Sequence, residues 1–190
     1  MITGIEIKRK IVHLATLAIP VGYILTSQET VLTFLVTLFL CYLFVDILRH
    51  FHPGVASLFE KYLYGRVLRE KEKYKLMGST YFLFSTILTI LLFPKSIAVA
   101  SLLILILADT AGALIGKWIG KVPIFGKTLE GSTAFFITAL LIVWSYPQLN
   151  RLSGSLAALG ATLIEVLPIE VDDNLTIPLV AGGIMFLCGG

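Results

Sequence analysis

Seven long stretches without a charged side chain constrain this 190-residue chain more than any other feature of its sequence. The uncharged stretches cover residues 11–28, 30–45, 76–94, 96–108, 131–150, 152–164 and 174–190. Segments that contain charged residues separate them. A helix rises about 1.5 Å per residue, so about 20 residues cross a hydrocarbon core of about 30 Å. The pattern predicts an all-α, polytopic membrane bundle with about seven transmembrane helices.

Composition argues against an ordinary soluble fold. Hydrophobic residues make up 57% of the chain and charged residues 14%, whereas soluble domains have about 45–50% and about 25%. A chain of this length leaves no room for a separate soluble domain, so we expect one membrane-embedded domain over residues 1–190. Cys41 and Cys188 lie in apolar stretches without the spacing of a metal site, and we expect both to be buried.

The distribution of basic residues predicts the orientation of the bundle. The predicted spans are 11–27, 30–49, 77–94, 96–116, 129–147, 152–168 and 175–189. The N-terminus and the loops 50–76, 117–128 and 169–174 then share one side, which carries thirteen of the fifteen Lys and Arg residues. Positively charged loops stay in the cytoplasm. We therefore expect a cytoplasmic N-terminus and a C-terminus on the opposite side.

The longest loop on the predicted cytoplasmic side, residues 50–76, is basic and partly amphipathic. Its apolar residues recur at helical spacing, and they are Val55, Leu58, Phe59, Tyr62, Leu63 and Val67. Basic residues, among them Arg66 and Arg69, lie between and after them. This pattern predicts a helix on the membrane surface, held by anionic lipid. A solvated connector is the alternative.

Four carboxylates, Asp46, Asp109, Glu130 and Glu165, lie inside the predicted spans or at their inner ends. An unpaired charge there costs about 2.5–3.5 kcal/mol or more. All four lie toward the predicted cytoplasmic leaflet, which a purely structural bundle does not require. We therefore expect polar chemistry at this depth, on a substrate that comes from the cytoplasm.

A strip of small residues follows Asp109. On a helix, Gly112, Ala113, Gly116 and Gly120 lie within about 60° of Asp109 around the axis. Such a strip lets a ligand or another backbone approach closely. Helix packing through the small residues is the structural alternative.

The loop after this strip predicts anion binding. It contains Gly126-Lys127-Thr128, but five residues separate Gly120 from Gly126 where the P-loop pattern needs four, and a helix precedes it rather than a strand. The lysines of the loop, Lys117 among them, and a helix that begins near Thr128 are nevertheless suited to phosphates.

This segment resembles the nucleotide-binding signature of the CTP-dependent polyprenol kinase family, which includes dolichol kinase, phytol kinase and a CTP-dependent diacylglycerol kinase. The residues that match the signature are Asp109, Gly116, Gly120, Lys127, Thr128, Glu130, Gly131 and Ser132. Gly112 replaces the usual Ala. Similar stretches elsewhere extend the resemblance over most of the chain: Arg9-Lys10 with His13, Asp46 with Arg49, Leu68-Arg69, residues 78–82, and Glu165 with Asp172-Asp173-Asn174.

The resemblance implies a transferase of lipid metabolism, integral to the membrane, with its active site facing the cytoplasm. It would move a phosphoryl group from CTP, with Mg²⁺, to a polyprenol, another isoprenoid alcohol or diacylglycerol. The implied nucleotide-binding residues are Arg9, Lys10, Gly116, Lys117, Gly120, Lys127, Thr128, Gly131 and Ser132. The implied catalytic residues are Asp109, Glu130, Glu165 and His13, and the implied metal ligands are Asp109, Asp172 and Asp173. Asp46, Arg49 and Asn174 complete the site.

Several of these residues also have structural alternatives. His13 could hydrogen-bond a neighbouring helix, and Asp46 with Arg49, three residues apart, could form only an internal ion pair. One of residues 172–174 could cap the helix that follows, and Glu130 could cap the helix near Thr128.

Two other functions compete with the lipid kinase. A phosphatidate cytidylyltransferase shares the first half of the signature and also uses CTP, but its later Pro-Gly-His-Gly-Gly stretch is missing here. A small ion-coupled transporter would use the buried carboxylates as an ion path, but the chain shows no convincing internal repeat. The sequence indicates no nucleic-acid partner. It leaves the lipid alcohol open, and it allows a homo-oligomer without requiring one.

Overall fold

A computed structural model describes residues 4–64, 68 and 70–189, and within them the chain is almost entirely helical. Its α-helices are α1 (Gly4–Ala15), α2 (Ala18–Leu25), α3 (Gln28–Phe51), α4 (Pro53–Tyr62), α5 (Gly78–Leu92), α6 (Lys95–Leu103), α7 (Asp109–Ile119), α8 (Leu129–Trp144), α9 (Arg151–Val166) and α10 (Asp173–Leu187). A 3₁₀ turn covers Glu70–Lys73, and a π-helical turn covers Ile104–Ala108. The predicted all-α class is confirmed.

The core of the bundle is one continuous helical rod. The π turn joins α6 to α7, so the rod runs over Lys95–Ile119. Ile97, Leu102 and Leu105 along it are fully buried. Around the rod, α10 packs against α6, α5 and α9, while α8 packs against α7 and α9. Because α7 and α8 lie side by side, the loop between them packs against the C-terminal end of α7, where Thr128 lies beside Gly116 and Gly120.

Each of the seven predicted spans contains helix, but their lengths differ. Two stretches are long and apolar enough to cross a bilayer, Gln28–Phe51 and Lys95–Ile119. The apolar helices Gly78–Leu92, Leu129–Trp144 and Asp173–Leu187 are shorter, and 15 residues rise only about 23 Å. The seven-span topology therefore stays a prediction.

The first predicted span is not one helix. The chain turns at Thr16 and Leu17, between α1 and α2. The Thr16 hydroxyl donates to the carbonyl of His13, 2.5 Å away, and the Leu17 amide donates to the carbonyl of Leu14 at 3.0 Å. These local bonds tighten the end of α1, so the predicted span over residues 11–27 consists of parts of two helices that meet at a turn.

The 50–76 loop contains a helix, α4, which ends at Tyr62. Its location on the membrane surface stays a prediction. Phe59 is buried against the bundle, whereas Leu58 and Tyr62 are exposed. The prediction is not tested beyond Leu63, because Arg66, Val67 and Arg69 lie outside the described residues.

A short hairpin that the sequence did not predict connects α7 to α8. Its strands, β1 (Pro123–Ile124) and β2 (Lys127–Thr128), pair antiparallel around a turn of two residues. Phe125 and Gly126 both have positive φ, 44° and 83°, which is typical of the type I′ turn of tight hairpins. The hairpin places Lys127 and Thr128 at the first turn of α8.

The outer surface of the bundle is largely apolar. Phe34, Leu40 and Phe44 of α3 are all more than half exposed. The expectation that Cys41 and Cys188 are buried is wrong, since both are exposed. An apolar stretch of sequence does not imply burial here, because these helices turn apolar faces outward.

Candidate active site

Asp109 begins α7, directly after the π turn, and α1 supplies its partners. The Lys10 ammonium lies 2.6 Å from Asp109 Oδ2 and also donates to the Asp109 carbonyl at 3.2 Å. His13 Nε2 lies 3.5 Å from the same carboxylate oxygen. The basic start of the chain and the carboxylate of the signature therefore form one contact, across 99 residues of sequence.

His13 also contacts the rod itself. Its Nε2 donates to the carbonyl of Leu105, 3.2 Å away, in the π turn. Because a carbonyl oxygen only accepts hydrogen bonds, this contact places the proton on Nε2. The ring packs edge-on against Phe82. His13 therefore makes the hydrogen bond to a neighbouring helix that was the structural alternative for it, and it also lies beside Asp109.

Glu6, beside this contact on α1, is a charged residue that the sequence did not single out. Its carboxylate lies 2.5 Å from the Lys117 ammonium and 3.7 Å from an Arg9 guanidinium nitrogen. Glu6, Lys10 and His13 stand four and three residues apart, so they share one face of α1. This spacing is the sequence signal that could have identified Glu6.

A second group of charges surrounds Lys127. Its ammonium lies 2.9 Å from Glu165 Oε1 and 3.2 Å from Asp173 Oδ2, and it also donates to the Glu165 carbonyl. The Ser132 hydroxyl donates to Glu165 Oε2 at 3.2 Å. Lys127 from β2, Ser132 from α8, Glu165 from α9 and Asp173 from α10 therefore meet, as the resemblance implied for residues of one site.

The surroundings of Lys127 keep it charged. Burial alone would lower its pKa, but the carboxylates of Asp173 and Glu165 outweigh this and hold the pKa of Lys127 above its ordinary value. Burial raises the pKa of Asp173 above its ordinary value, and Lys127 offsets this only in part. At neutral pH the lysine is a stable cation, suited to a phosphate oxygen.

The two groups belong to one cluster. Asp109 lies close enough to Lys127 to interact with it electrostatically, and the same holds for Asp109 and Asp173. Each lysine of the cluster contacts a carboxylate: Lys10 contacts Asp109, and Lys127 contacts Glu165 and Asp173. Five separated parts of the sequence contribute to it.

The small-residue strip of α7 is filled by the backbone of α8. A Cβ atom on Gly112 would lie 3.1 Å from the Gly131 carbonyl oxygen, and one on Gly116 would lie 3.3 Å from Gly131 Cα. One on Gly131 would lie 2.8 Å from the Gly112 carbonyl. The strip was expected to admit either a ligand or another backbone, and in this structure the backbone of α8 occupies it.

The start of α8 is capped by Thr128. Its side chain accepts a hydrogen bond from the Gly131 amide at 3.2 Å. Glu130 is not the cap. Both of its carboxylate oxygens lie 3.3 Å from the Val122 amide, so it fastens the hairpin to α8. Within the described residues, no contact joins Glu130 to Asp109 or Lys127.

Residues 172–174 divide between two roles. Asp172 caps α10, because its Oδ1 accepts from the Asn174 amide at 3.0 Å and from the Asn174 side chain at 2.7 Å. The Asn174 carbonyl accepts from the Ser85 hydroxyl at 2.6 Å. Asp173 instead turns to Lys127. The capping alternative therefore holds for Asp172.

The carboxylates of the cluster fit Mg²⁺ in part. No three His, Cys, Asp or Glu side chains of the described chain converge as a metal cage. Mg²⁺ does not need one, since it is usually held by one or two carboxylates together with substrate phosphates. Asp109 and Asp173 supply oxygen donors of this kind, and both have a lysine partner in this structure.

Asp46 and Arg49 form the internal ion pair that was the structural alternative. Asp46 Oδ1 accepts from Arg49 Nε at 2.6 Å, and the Asp46 side chain is fully buried. Its Oδ2 accepts from the Met77 amide at 2.8 Å and from the Thr80 hydroxyl at 2.6 Å. The pair thereby joins the end of α3 to the start of α5.

The Arg49 guanidinium makes further contacts in the loop between α4 and α5. It donates to the carbonyls of Glu72 and Lys75, at 2.9 and 2.6 Å, and to the Tyr64 hydroxyl. It also lies 5.6 Å from the centre of the Phe59 ring. Arg49 therefore positions this loop and is not seen to contact the charged cluster.

Three known proteins are similar in sequence to this chain. The chain is 31% identical over 184 residues to the uncharacterized protein RP860 of Rickettsia prowazekii, a match that covers 92% of this chain and 90% of that protein. It is 30% identical over 187 residues to the uncharacterized protein MJ1137 of Methanocaldococcus jannaschii, covering 95% and 92%. It is 29% identical over 161 residues to CTP-dependent diacylglycerol kinase 1 of Schizosaccharomyces pombe, covering 75% and 73%.

Other comparisons gave nothing to add. No family model matches the chain, and no solved structure gives a significant match.

Proposed function

We propose that this chain, which belongs to the same family as the Rickettsia and Methanocaldococcus proteins, is a CTP-dependent lipid kinase. Its similarity to the fungal CTP-dependent diacylglycerol kinase supports both the reaction and the donor nucleotide. The single observation that carries the proposal is the charged cluster, in which Lys10, Asp109, Lys127, Glu165 and Asp173 meet from separated parts of the chain.

The lysines of the cluster would hold the phosphates of CTP. Lys127 stands at the N-terminal end of α8, where free amides and the helix dipole also favour an anion. Lys10 lies at the other end of the cluster, beside Asp109. Arg9 and Lys117 lie near them on the Glu6 side. Lys10 and Lys127 each have a carboxylate partner, so phosphate binding would exchange that partner for a phosphate oxygen.

Asp109 and Asp173 are the residues that would hold Mg²⁺, since both are carboxylates of the cluster. When bound, this ion would neutralise negative charge on the phosphates. Asp172 would act indirectly, because its capping bonds fix the first turn of α10 and so the place of Asp173.

The proposed reaction is a phosphoryl transfer to a lipid hydroxyl. The hydroxyl oxygen forms a bond to the γ-phosphorus of CTP, the bond from that phosphorus to the bridging oxygen breaks, and CDP leaves. The hydroxyl proton passes to a carboxylate, for which Asp109 is our first choice because His13 and Lys10 fix its position. Glu165 would keep Lys127 and Ser132 in place. Glu130 would keep the hairpin in place.

A membrane location suits this substrate. A lipid alcohol needs its hydroxyl at the interface and its tail in the bilayer, and the apolar outer surface of the bundle supports embedding. The exposed residues Ile7, Ile11 and Val12 give α1 an apolar outer face, while its polar face turns inward to Asp109. The basic loops support an active site on the cytoplasmic side.

The test is a reaction with defined products. Purified protein in mixed micelles or vesicles would receive CTP or ATP, labelled at the γ-phosphate, with diacylglycerol, phytol or a polyprenol. We expect label on one class of lipid alcohol, with CDP released and CTP preferred over ATP. Chelation of divalent cations with EDTA should abolish labelling, and added Mg²⁺ should restore it.

The products also separate the alternatives. Release of pyrophosphate from CTP, with a cytidylyl group on phosphatidate, would identify a cytidylyltransferase instead. Absence of any lipid product with every nucleotide and acceptor, in protein that melts cooperatively, would contradict the kinase proposal.

A further inference from the structure

The contact between α1 and the central rod is a ladder of three polar contacts. Reading along α1, Glu6 contacts Lys117, Lys10 contacts Asp109, and His13 contacts the Leu105 carbonyl. The partner numbers fall from 117 to 105 as the α1 numbers rise from 6 to 13. The two helices therefore run antiparallel, and each contact helps to set the register of the next.

The first two turns of α1, which carry Glu6 and Lys10, have little apolar packing, since Leu14 packs against the core only at the C-terminal end of the helix. Ile7, Ile11 and Val12 of α1 are 47%, 60% and 56% exposed. Among the described helices, α1 packs chiefly on α7 and the π turn. The turn at Thr16 and Leu17 separates it from α2, so α2 does not fix its angle rigidly. The polar contacts must therefore determine where α1 lies on the rod.

From this geometry we propose that Glu6 is a positioning residue, whose ion pair with Lys117 aligns α1 so that Lys10 and His13 reach Asp109. The inference rests on the proposed kinase function for its activity readout. It assigns Lys117 to the alignment of α1 rather than to the nucleotide phosphates. Because the Glu6–Lys117 pair is two helical turns from Asp109 along the rod, it acts through Lys10 and His13 and not on the reacting atoms.

The kinetic test uses the two neutral variants and their charge exchange. Glu6→Gln and Lys117→Gln should each lower kcat by about 10- to 100-fold, the effect of a small misplacement of catalytic groups. The KM for CTP should stay within about twofold of the wild-type value, since neither residue binds the nucleotide under this proposal. The exchanged variant Glu6→Lys/Lys117→Glu should regain most of the lost kcat. Lys8→Gln, at an exposed position of α1, is the matched control and should leave kcat unchanged.

A second readout does not depend on activity. Ala113 lies between Asp109 and Lys117 at four-residue spacing, on the face that α1 covers, and it is half-buried. In protein with Cys41→Ser and Cys188→Ser, Ala113→Cys should react slowly with a water-soluble maleimide. Glu6→Gln should increase the labelling rate, and the charge exchange should return it to the slow value.

The outcomes distinguish this proposal from the proposed function. If no lipid is phosphorylated by the wild-type protein, the kinase proposal fails, while the labelling rates still test the alignment of α1. If Lys117→Gln alone raises the KM for CTP, Lys117 contacts the nucleotide and the positioning role is wrong. If the exchanged variant is as slow as the single variants, the Glu6–Lys117 pair does not align α1, and the positioning role is also wrong. A labelling rate that Glu6→Gln leaves unchanged also overturns it. Melting in detergent shows that each variant is folded.

Discussion

At the residue scale, the ion pair with Lys10 determines what a neutral substitution of Asp109 does. Asp109→Asn keeps the size of the side chain and removes its charge, so turnover should fall by roughly 10²–10⁴, the effect of a positioned acid–base group. Lys10 is only 9% exposed and loses its carboxylate partner. The free energy of unfolding should therefore also fall, by roughly 1–3 kcal/mol, less than for a fully buried pair. Lipid phosphorylation and melting in detergent measure the two effects.

A double variant separates these effects. Asp109→Asn with Lys10→Gln removes both charges and should recover most of the lost stability without recovering turnover. If Asp109→Asn melts lower but phosphorylates lipid at a near-normal rate, Asp109 serves only the ion pair, and this cluster is not the active site.

Gly131 tests the close packing of α7 and α8. In Gly131→Ala the new Cβ would lie 2.8 Å from the Gly112 carbonyl oxygen and 3.0 Å from Gly116 Cα. The two helices must move apart, and we expect a loss of about 1–3 kcal/mol in the free energy of unfolding, as for overpacked cores. The matched control is Gly183→Ala within α10, where a Cβ meets no atom within 4 Å. Equal melting temperatures for the two variants would contradict the packing described for this strip.

The sequence singled out most residues of the charged cluster but not their partners. Asp109, Lys127 and Glu165 stand out because charges are rare in apolar stretches. Which lysine pairs with which carboxylate depends on how the helices pack, and no local pattern encodes this. Glu6 shares a helical face with Lys10 and His13, but its partner Lys117 is evident only once α1 lies antiparallel to α7.

At the scale of elements, Arg49 joins α3 to the loop that precedes α5. Arg49→Met leaves the fully buried Asp46 without its cation. We expect a loss of about 3–5 kcal/mol in the free energy of unfolding, measured by melting in detergent. Lysine should not substitute for arginine, because a single ammonium cannot reach the separate acceptors of the planar guanidinium fork.

Lys75→Gln is the control for this prediction. Arg49 contacts only the backbone carbonyl of Lys75, whose side chain is exposed. This variant should change stability by less than about 0.5 kcal/mol. A similar stability for Arg49→Met and Lys75→Gln would show that the network does not hold the loop.

The helices themselves were predictable, and the irregular segments between them were not. Long apolar stretches located α3, α5 and the rod, because apolar runs of that length form helices in any membrane or core. The π turn could not be predicted in this way, since a local change in the hydrogen-bond pattern of a helix does not alter the hydrophobicity of its sequence. The hairpin could not be predicted in this way either. Its strands have two residues each, and Phe125 occupies a left-handed position where type I′ turns favour Asn, Asp or Gly.

At the scale of the whole molecule, the seven-span topology predicts opposite labelling at two exposed positions. With Cys41 and Cys188 replaced by serine, a cysteine at Lys121 should react with an impermeant maleimide only from the cytoplasmic side. One at Gln148 should react only from the outer side, because α8 lies between the two positions. Labelling of both from the same side would contradict the topology and would separate the candidate site from cytoplasmic CTP.

The pairing of every carboxylate in the cluster with a lysine of the same chain bears on how the site responds to salt. A site lined by unpaired lysines would attract chloride, and its affinity for a phosphate would weaken as ionic strength rises. Here Asp109, Glu165 and Asp173 act as built-in counterions for Lys10 and Lys127. An arriving anion replaces a fixed counterion that cannot diffuse away. Nucleotide affinity should therefore depend only weakly on the salt concentration of the cytoplasm, whatever the lipid acceptor.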